Sequence, residues 1–299
     1  MPRSELNDLS AKPITLIGAG TMGRAIGLTL ASRGGVVRLY EPNPEIVQAG
    51  VEFIASRLDD LIETRGGSAK GFRSAAVETH DDLTAAVSDA GLIIEAVPER
   101  ADLKRELLGR LDELADPTAV IATNSSSFAV STLLDNVRNP ERVLNVHFAM
   151  PPEVPGVDLM SSGETREEIL EWLQRELPSY GLVPFVLVPN TMGFPGNRLL
   201  EALIREALQI VTDGASTPEQ VDAIWRTATG MPFGPFGLID SIGLDVTADI
   251  EKHRRELQPY LNNWRAVEAL APLITEGRLG MKTGRGFFDY TNAPPAVGE

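Results

Sequence analysis

Short apolar runs recur along the first 190 residues, and stretches with helical periodicity separate them. The runs are rich in β-branched residues and predict strands at 14–17, 36–41, 77–80, 92–97, 119–124, 143–148 and 183–188. The stretches between them predict helices, most clearly at 44–65 and 101–115. This alternation indicates an α/β fold with a mostly parallel sheet and helices on both faces.

The pattern becomes purely helical after about residue 190. Apolar residues recur at helical spacing over 197–214, and Gly214 ends that helix. A further helix is predicted over 217–229, with Thr217 as its N-cap and Pro218 at the first helical position. A chain of 299 residues is long enough for two domains. We therefore predict a Rossmann-type mostly parallel sheet domain at 1–190, followed by an all-α domain at 191–299.

The composition excludes several classes of function. A formal net charge of -15 disfavours nucleic acid and anionic membranes as partners. The chain has no cysteine, which rules out thiol nucleophiles, disulfides and zinc–thiolate sites. The paired aspartates at 59–60 and 81–82 lack metal-ligand spacing, so no metal is predicted. Because signal-peptide and membrane-spanning patterns are missing, we expect a cytoplasmic protein.

A glycine motif follows the first predicted strand and opens the first predicted helix. It consists of Gly18, Gly20 and Gly23, with Thr21 and Met22 between the second and third glycines. In this context the glycines allow a tight turn, close approach of a pyrophosphate and close helix–strand packing. The motif predicts a dinucleotide site at the amino end of that helix. A glycine turn in an α/β protein without cofactor is the alternative.

Glu41 ends the second predicted strand. A carboxylate at this position accepts hydrogen bonds from the adenosine ribose and repels a 2′-phosphate. The residues that follow are Pro42, Asn43 and Pro44, so no arginine is available there to hold such a phosphate. The predicted cofactor is therefore NAD rather than NADP.

Histidine is scarce in this chain, which narrows the choice of a proton-transfer residue. The three histidines are His80, His147 and His253. His147 ends an apolar strand, where open α/β sheets bind their ligands, so it is the candidate base. A buried structural histidine is the alternative. His80 and His253 lie in polar surroundings, and we expect them at the surface.

Seven motifs follow one another along the chain: IGAGTMG at 17–23, LIIEAVPERADLK at 92–104, ATNSSS at 122–127, VHFAMP at 146–151, MGFPGNR at 192–198, GPFGLIDSIGLD at 234–245 and MKTGRGFFDY at 281–290. Taken together and in this order, they resemble the L-3-hydroxyacyl-CoA dehydrogenase family, including its relatives that act on L-gulonate and L-carnitine. The resemblance extends from Leu16 to Tyr290.

This resemblance implies a catalytic role for His147. It also implies that Asp158 takes the place of the carboxylate that orients the histidine, and that Ser126 and Asn197 contact the substrate. For each of the last two, capping of a following helix is the alternative. For the cofactor, it implies Glu99, Lys104, Asn124 and Lys282 in addition to the glycines and Glu41.

The sequence thus predicts an NAD-dependent enzyme that interconverts a 3-hydroxy and a 3-keto group on an acyl-CoA or a related hydroxy acid. A dehydrogenase of a non-CoA hydroxy acid, such as L-carnitine, L-gulonate or a specialised metabolite, is the second reading. A non-catalytic NAD-binding protein similar to a crystallin is the third. The helices after residue 190 carry wide apolar faces, and we expect a homodimer through that domain.

Overall fold

The computed structural model describes residue 6 and residues 9–64, 77–191, 193–257 and 264–291. The chain divides into two compact units, Met1–Phe194 and Pro195–Glu299. The predicted end of the second helix at residue 65 lies outside the described residues, as does Met192 of the MGFPGNR motif.

The first unit is built on one sheet. Its strands are β1 Ile14–Ile17, β2 Val37–Tyr40, β3 Glu78–His80, β4 Leu92–Glu95, β5 Val120–Thr123, β6 Val143–Met150, β7 Val154–Ser161 and β8 Val183–Leu187. Their order in the sheet is β3-β2-β1-β4-β5-β6-β7-β8. Every neighbouring pair is parallel except β6 and β7. The predicted mostly parallel α/β sheet is confirmed.

The strand β7 was not predicted from the sequence. It forms an antiparallel hairpin with β6, and His147 lies directly opposite Asp158 in that pairing. Pro151, Pro152 and Pro155 lie at and near the turn. Their presence hides the strand pattern, because proline cannot donate to a ladder and is typical of strand ends and edges.

Alternate residues of each strand point to opposite faces of the sheet, as the geometry of a strand requires. On β1, Leu16 packs in one apolar cluster and Ile17 in another. The same alternation separates Ile94 from Ile93 on β4. Helices cover both faces: α1 Thr21–Ala31, α2 Pro44–Thr64, α3 Leu83–Val87, α4 Ala101–Leu114 and α5 Glu167–Glu176.

The second unit is helical, as predicted. Its helices are α6 Pro195–Thr212, α7 Pro218–Thr229, α8 Pro235–Ile242, α9 Leu244–Leu257 and α10 Trp264–Thr275. Thr217 caps α7 by accepting a hydrogen bond from the Gln220 N–H, and Pro218 occupies the first turn. Gly214 has a φ of 72° just after α6, the left-handed conformation that ends helices. These helix-end predictions are confirmed.

Candidate active site

The glycine motif forms a turn between β1 and α1. Gly18 has a φ of 103°, and a Cβ there would lie 2.8 Å from the Ala96 carbonyl oxygen. A Cβ on Gly23 would lie 1.8 Å from the Gly18 oxygen, so both positions require glycine. Gly20 is exposed, and a Cβ there would meet no atom of the described residues within 4 Å.

Gly20 is also the N-cap of α1 and has no side-chain capping bond. The first N–H groups of a helix have no partner within the helix, and they bind anions such as a pyrophosphate. Thr21 and Met22 form the first turn behind it. The open, uncapped amino end therefore fits a dinucleotide.

Glu41 follows β2 at the same edge of the sheet, and its side chain is partly exposed. Its Oε1 accepts a hydrogen bond of 3.2 Å from the Asn43 N–H. The second carboxylate oxygen has no hydrogen-bond partner among the residues described. This leaves it available for the ribose hydroxyls that the sequence assigned to it.

His147 and Asp158 lie across the β6–β7 hairpin from one another. His147 Nδ1 is 3.2 Å from Asp158 Oδ2, and the imidazole is almost fully buried. A carboxylate accepts a hydrogen bond from Nδ1–H, so Nε2 of the neutral ring carries a lone pair. In the described part of the chain Nε2 has no hydrogen-bond partner. The ring therefore has one edge fixed and one edge ready to exchange a proton.

A phenyl ring covers one face of the imidazole. Phe194 stacks on His147 with 4.0 Å between ring centroids and an angle of 8° between the planes. Phe194 is 3% exposed and is the last residue of the first unit. The sequence offered no signal for this contact, because the two residues are far apart along the chain.

Two asparagines hold the strand segment that carries His147. Asn124, at the end of β5, accepts a hydrogen bond from the Phe148 N–H through Oδ1. Asn145 on β6 accepts from the Val130 N–H and donates to the Phe128 carbonyl. Asn124 thus fixes the backbone beside the candidate base. Its role as a cofactor ligand stays a prediction.

Ser126 lies at an exposed position in the turn after β5, and Glu99 holds that turn on both sides of it. Glu99 Oε1 accepts hydrogen bonds from the Ser125 hydroxyl and from the Ser127 N–H. Among the described residues the Ser126 hydroxyl has no partner. The nearby 3₁₀ turn at Val130–Leu133 has no side-chain cap, so Ser126 does not cap it.

Lys104 lies beneath this turn and is 1% exposed. Its Nζ is 2.7 Å from Glu95 Oε1 and 3.2 Å from Glu99 Oε2. Glu95 has no exposed surface and also accepts hydrogen bonds from the Val97 N–H and the Thr123 hydroxyl. Lys104 therefore connects a buried carboxylate to Glu99. Its assignment as a direct cofactor ligand stays a prediction.

Glu95 is a residue that the sequence reasoning missed. It is the one charged residue in the apolar run LIIEAV at 92–97. A charge within a strand that is buried on both faces needs a partner nearby, and Lys104 follows nine positions later. That combination could have identified the pair.

Two of the predicted site residues belong to the second unit. Asn197 is partly buried in the first turn of α6 and does not precede that helix, because α6 begins at Pro195. Lys282 is exposed, and its Nζ lies 2.6 Å from Asp245 Oδ1. The substrate role of Asn197 and the cofactor role of Lys282 stay predictions.

His80, expected at the surface, is the last residue of β3 and is partly exposed. The side chain of His253 lies outside the described part of the structure. Within the described residues, no group of three or more His, Asp or Glu side chains is arranged to hold a metal ion. In the same residues, no helix is both long and apolar enough to span a bilayer.

Comparison with known proteins places this site within a family. A family model described as the NAD binding domain of 3-hydroxyacyl-CoA dehydrogenase matches residues 13–190. The model of the C-terminal domain of 3-hydroxyacyl-CoA dehydrogenase matches residues 193–290. The class that the fold and the site define is thus that of NAD-dependent dehydrogenases. The chain belongs to the 3-hydroxyacyl-CoA dehydrogenase family, and its cofactor is NAD.

Individual relatives agree with the family match. The chain is 31% identical to the 3-hydroxyadipyl-CoA dehydrogenase of Escherichia coli, over 97% of its own length and 61% of the relative. It is 31% identical to the probable 3-hydroxybutyryl-CoA dehydrogenase of Bacillus subtilis, covering 94% and 98% of the two chains. It is also similar to the structure described as "Substrate-directed dual catalysis of dicarbonyl compounds by diketoreductase", with TM-score 0.80, 31% identity and coverage of 93% and 99%.

Proposed function

We propose that this protein interconverts a 3-hydroxy group and a 3-keto group on an acyl-CoA or a related hydroxy acid, with His147 as the proton-transfer residue. The observation that carries the proposal is the His147–Asp158 pair, whose imidazole is buried with Nε2 unbonded among the described residues. NAD, when bound, supplies the hydride acceptor for oxidation of the carbinol carbon.

His147 accepts the hydroxyl proton at Nε2 in the oxidation direction and returns it in the reduction direction. Asp158 holds the tautomer through Nδ1 and stabilises the imidazolium that forms. General acid–base assistance of this kind contributes about 10²–10⁴-fold to turnover. A crystallin-like binding protein would have no need of such a pair, which argues against the non-catalytic reading.

The remaining site residues are proposed to bind and orient. The amino end of α1 at Gly20 holds the pyrophosphate and Glu41 the adenosine ribose. Ser126 presents its hydroxyl to the substrate oxygen from the turn that Glu99 fixes. By resemblance to the family, Asn197 contacts the substrate. Asn124 and Lys282 are assigned to the cofactor on the same basis.

A non-CoA hydroxy or keto acid is the second candidate substrate. One observation favours it, and a second is compatible with it. The similar diketoreductase is described as acting on dicarbonyl compounds. In addition, the end of the β6–β7 hairpin exposes the apolar side chains of Met150 and Val154, which are paired across the hairpin. Exposed apolar side chains at this end of the hairpin suit a small organic acid as well as an acyl thioester.

A substrate panel tests the proposal. Purified protein is incubated with NAD and 3-hydroxybutyryl-CoA, L-carnitine, L-gulonate or simple 3-hydroxy acids, and the nicotinamide absorbance is followed. We expect turnover with at least one 3-hydroxy substrate. His147→Gln should retain NAD binding but lose about 10²–10⁴-fold in kcat. Undiminished turnover in that variant would show that the base lies elsewhere.

We also propose that the protein is a homodimer that associates through its helical unit. That unit exposes large apolar side chains, with Leu199 at 74% and Ile224 at 65% exposure. Exposed apolar surface of this kind is typical of association surfaces. Size-exclusion chromatography with light scattering should give about twice the chain mass of 32.3 kDa. A mass of one chain would refute the dimer.

A further inference from the structure

The stack between Phe194 and His147 restrains the candidate base beyond what Asp158 achieves. Asp158 bonds one edge of the imidazole at Nδ1, and Phe194 covers one face with nearly parallel ring planes. Rotation of the imidazole about its Cβ–Cγ bond would break the hydrogen bond and the stack together. The two contacts therefore define both the edge and the plane of the ring.

We propose that Phe194 is a positioning residue for His147: its ring fixes the imidazole plane, so that Nε2 is aimed at the substrate hydroxyl. The proposal rests on the proposed function, in which His147 transfers the proton. The orientation of the imidazole matters because proton transfer requires a base that lies within hydrogen-bond reach of the proton and is correctly aligned with it. A ring free to turn would spend part of its time with Nε2 misdirected.

The aromatic ring has a second effect that an aliphatic side chain lacks. The face of a phenyl ring carries negative electrostatic potential and attracts a cation lying over it. The imidazolium that forms when His147 takes the proton is held over such a face. Phe194 is nine-tenths or more buried, so water does not screen this contact.

The position of Phe194 in the chain also restricts its backbone conformation. It lies just after Gly193, whose φ is 73°, and directly before Pro195, the first residue of α6. Proline has a fixed φ and restricts the residue before it. Pro195 thus restrains the Phe194 backbone. This suits a side chain whose plane must match that of another ring.

The test compares Phe194→Leu, which keeps an apolar side chain but removes the ring, with Phe194→Tyr, which keeps the ring. In Phe194→Leu we expect kcat to fall about tenfold, a part of the acid–base contribution, while KM for NAD and for the substrate changes less than about twofold. Phe194→Tyr should restore most of kcat. Phe236→Leu is the matched control.

Phe236 suits that purpose because it is fully buried in the second unit and packs edge-on against Phe287, outside the proposed site. Its replacement should lower stability without changing the kcat of the folded enzyme. A loss of kcat in Phe236→Leu equal to that in Phe194→Leu would mean that loss of any buried phenyl is enough, and the proposal would fail.

Proton NMR of the imidazole C–H groups gives a readout independent of turnover. The chain has three histidines, so the His147 signals are identified by their absence in His147→Gln. A stacked phenyl ring shifts them upfield. We expect that shift in the native protein and in Phe194→Tyr, and its loss in Phe194→Leu.

The possible results separate the two proposals. Unshifted His147 signals in the native protein, or full kcat in Phe194→Leu, would overturn the role of Phe194. Full turnover in His147→Gln would instead overturn the proposed function, whatever the NMR result. If Phe194→Leu does not fold, Phe194→Met provides the same comparison with a flexible side chain that fills irregular space.

Discussion

Two carboxylates of the first unit, the fully buried Glu95 and the partly buried Asp158, differ in how many partners they have. Glu95 is fully buried and accepts hydrogen bonds from three donors, of which Lys104 is charged. Asp158 contacts a single donor, His147, among the described residues. A saturated buried group stabilises a structure, whereas an under-bonded pair retains capacity for a further ligand.

The number of hydrogen-bond partners helps to distinguish catalytic residues from structural residues in this chain. By burial alone, Glu95 and Lys104 would be the strongest candidates for catalysis. Because their bonds are satisfied within the protein, they have little left to offer a substrate. His147 combines burial with an Nε2 that has no partner in the part of the chain that the structure describes, and a proton-transfer group requires such a free nitrogen.

The largest effect should come from the under-bonded pair. In Asp158→Asn the amide can donate to Nδ1 and reverse the imidazole tautomer, so we expect kcat to fall about 10²–10⁴-fold. The free energy of unfolding should change little, because within the described residues Asp158 has one hydrogen bond to lose. Steady-state kinetics and urea denaturation check both statements. A large loss of stability with normal kcat would show that Asp158 has a structural role and not a catalytic one.

The saturated pair should behave in the opposite way. Lys104→Met leaves the Glu95 carboxylate buried without its cation, which should lower the free energy of unfolding by about 3–5 kcal/mol. Urea denaturation followed by circular dichroism measures this. The matched double variant Glu95→Gln/Lys104→Met should recover part of the loss, because no buried charge remains unpaired. If Lys104→Met were as stable as the native protein, the Glu95–Lys104 pair would not have the stabilising role assigned to it.

Glu41 extends the comparison to a partly exposed carboxylate. Asn43 supplies its one hydrogen bond among the described residues. Glu41→Ala should weaken NAD binding about tenfold and NADP binding less, because a charge-assisted bond to ribose is lost and repulsion of the 2′-phosphate ends. Titration of protein fluorescence with each cofactor measures the ratio. An unchanged preference would remove Glu41 from the cofactor site.

Two further buried aspartates allow a comparison by pH. Burial would raise the pKa of Asp112, but hydrogen bonds from the Arg138 backbone and from the Arg142 and Asn139 side chains outweigh it, so the pKa lies below its usual range. For Asp240 in the second unit, burial prevails and raises the pKa. The two carboxylates should therefore respond to pH in opposite directions.

The smallest expected effect is this opposite pH trend. With its lowered pKa, Asp112 contributes stability at neutral pH that is lost as the pH falls through its folded-state pKa. With its raised pKa, Asp240 contributes stability at low pH that is lost as the pH rises through its folded-state pKa. The deficit of Asp112→Asn should therefore shrink on acidification, while Asp240→Asn should gain relative to the native protein as the pH rises. Urea denaturation across pH measures both trends, and parallel trends would contradict them.

The parts of the fold that follow local patterns could be predicted from the sequence. Strand and helix periodicity gave the parallel sheet and the helical unit, and Gly214 and Thr217 marked helix ends. β7 was missed because its prolines interrupt the alternation and because antiparallel pairing depends on contacts with β6. No local pattern distinguishes that hairpin from a loop.

The candidate site was predicted only in part from the sequence. His147 stood out because histidine is scarce, and the family resemblance pointed to Asp158, which the structure places beside it. The Glu95–Lys104 pair and the Phe194 stack depend on which residues the fold brings together. Burial of Lys104 is a tertiary effect, since the sequence shows a lysine on an otherwise ordinary helix.

The register of the β6–β7 hairpin makes the length of its turn a chemical constraint. Asp158 faces His147 because the pairing places them opposite one another, and the next residue, Leu159, packs in the core. Inserting or deleting one residue between the strands would exchange the two faces. Val157, after an insertion, or Leu159, after a deletion, would then adjoin the imidazole, and the Asp158 carboxylate would enter the apolar interior. Natural or engineered changes in this loop should therefore preserve its residue count more strictly than its composition.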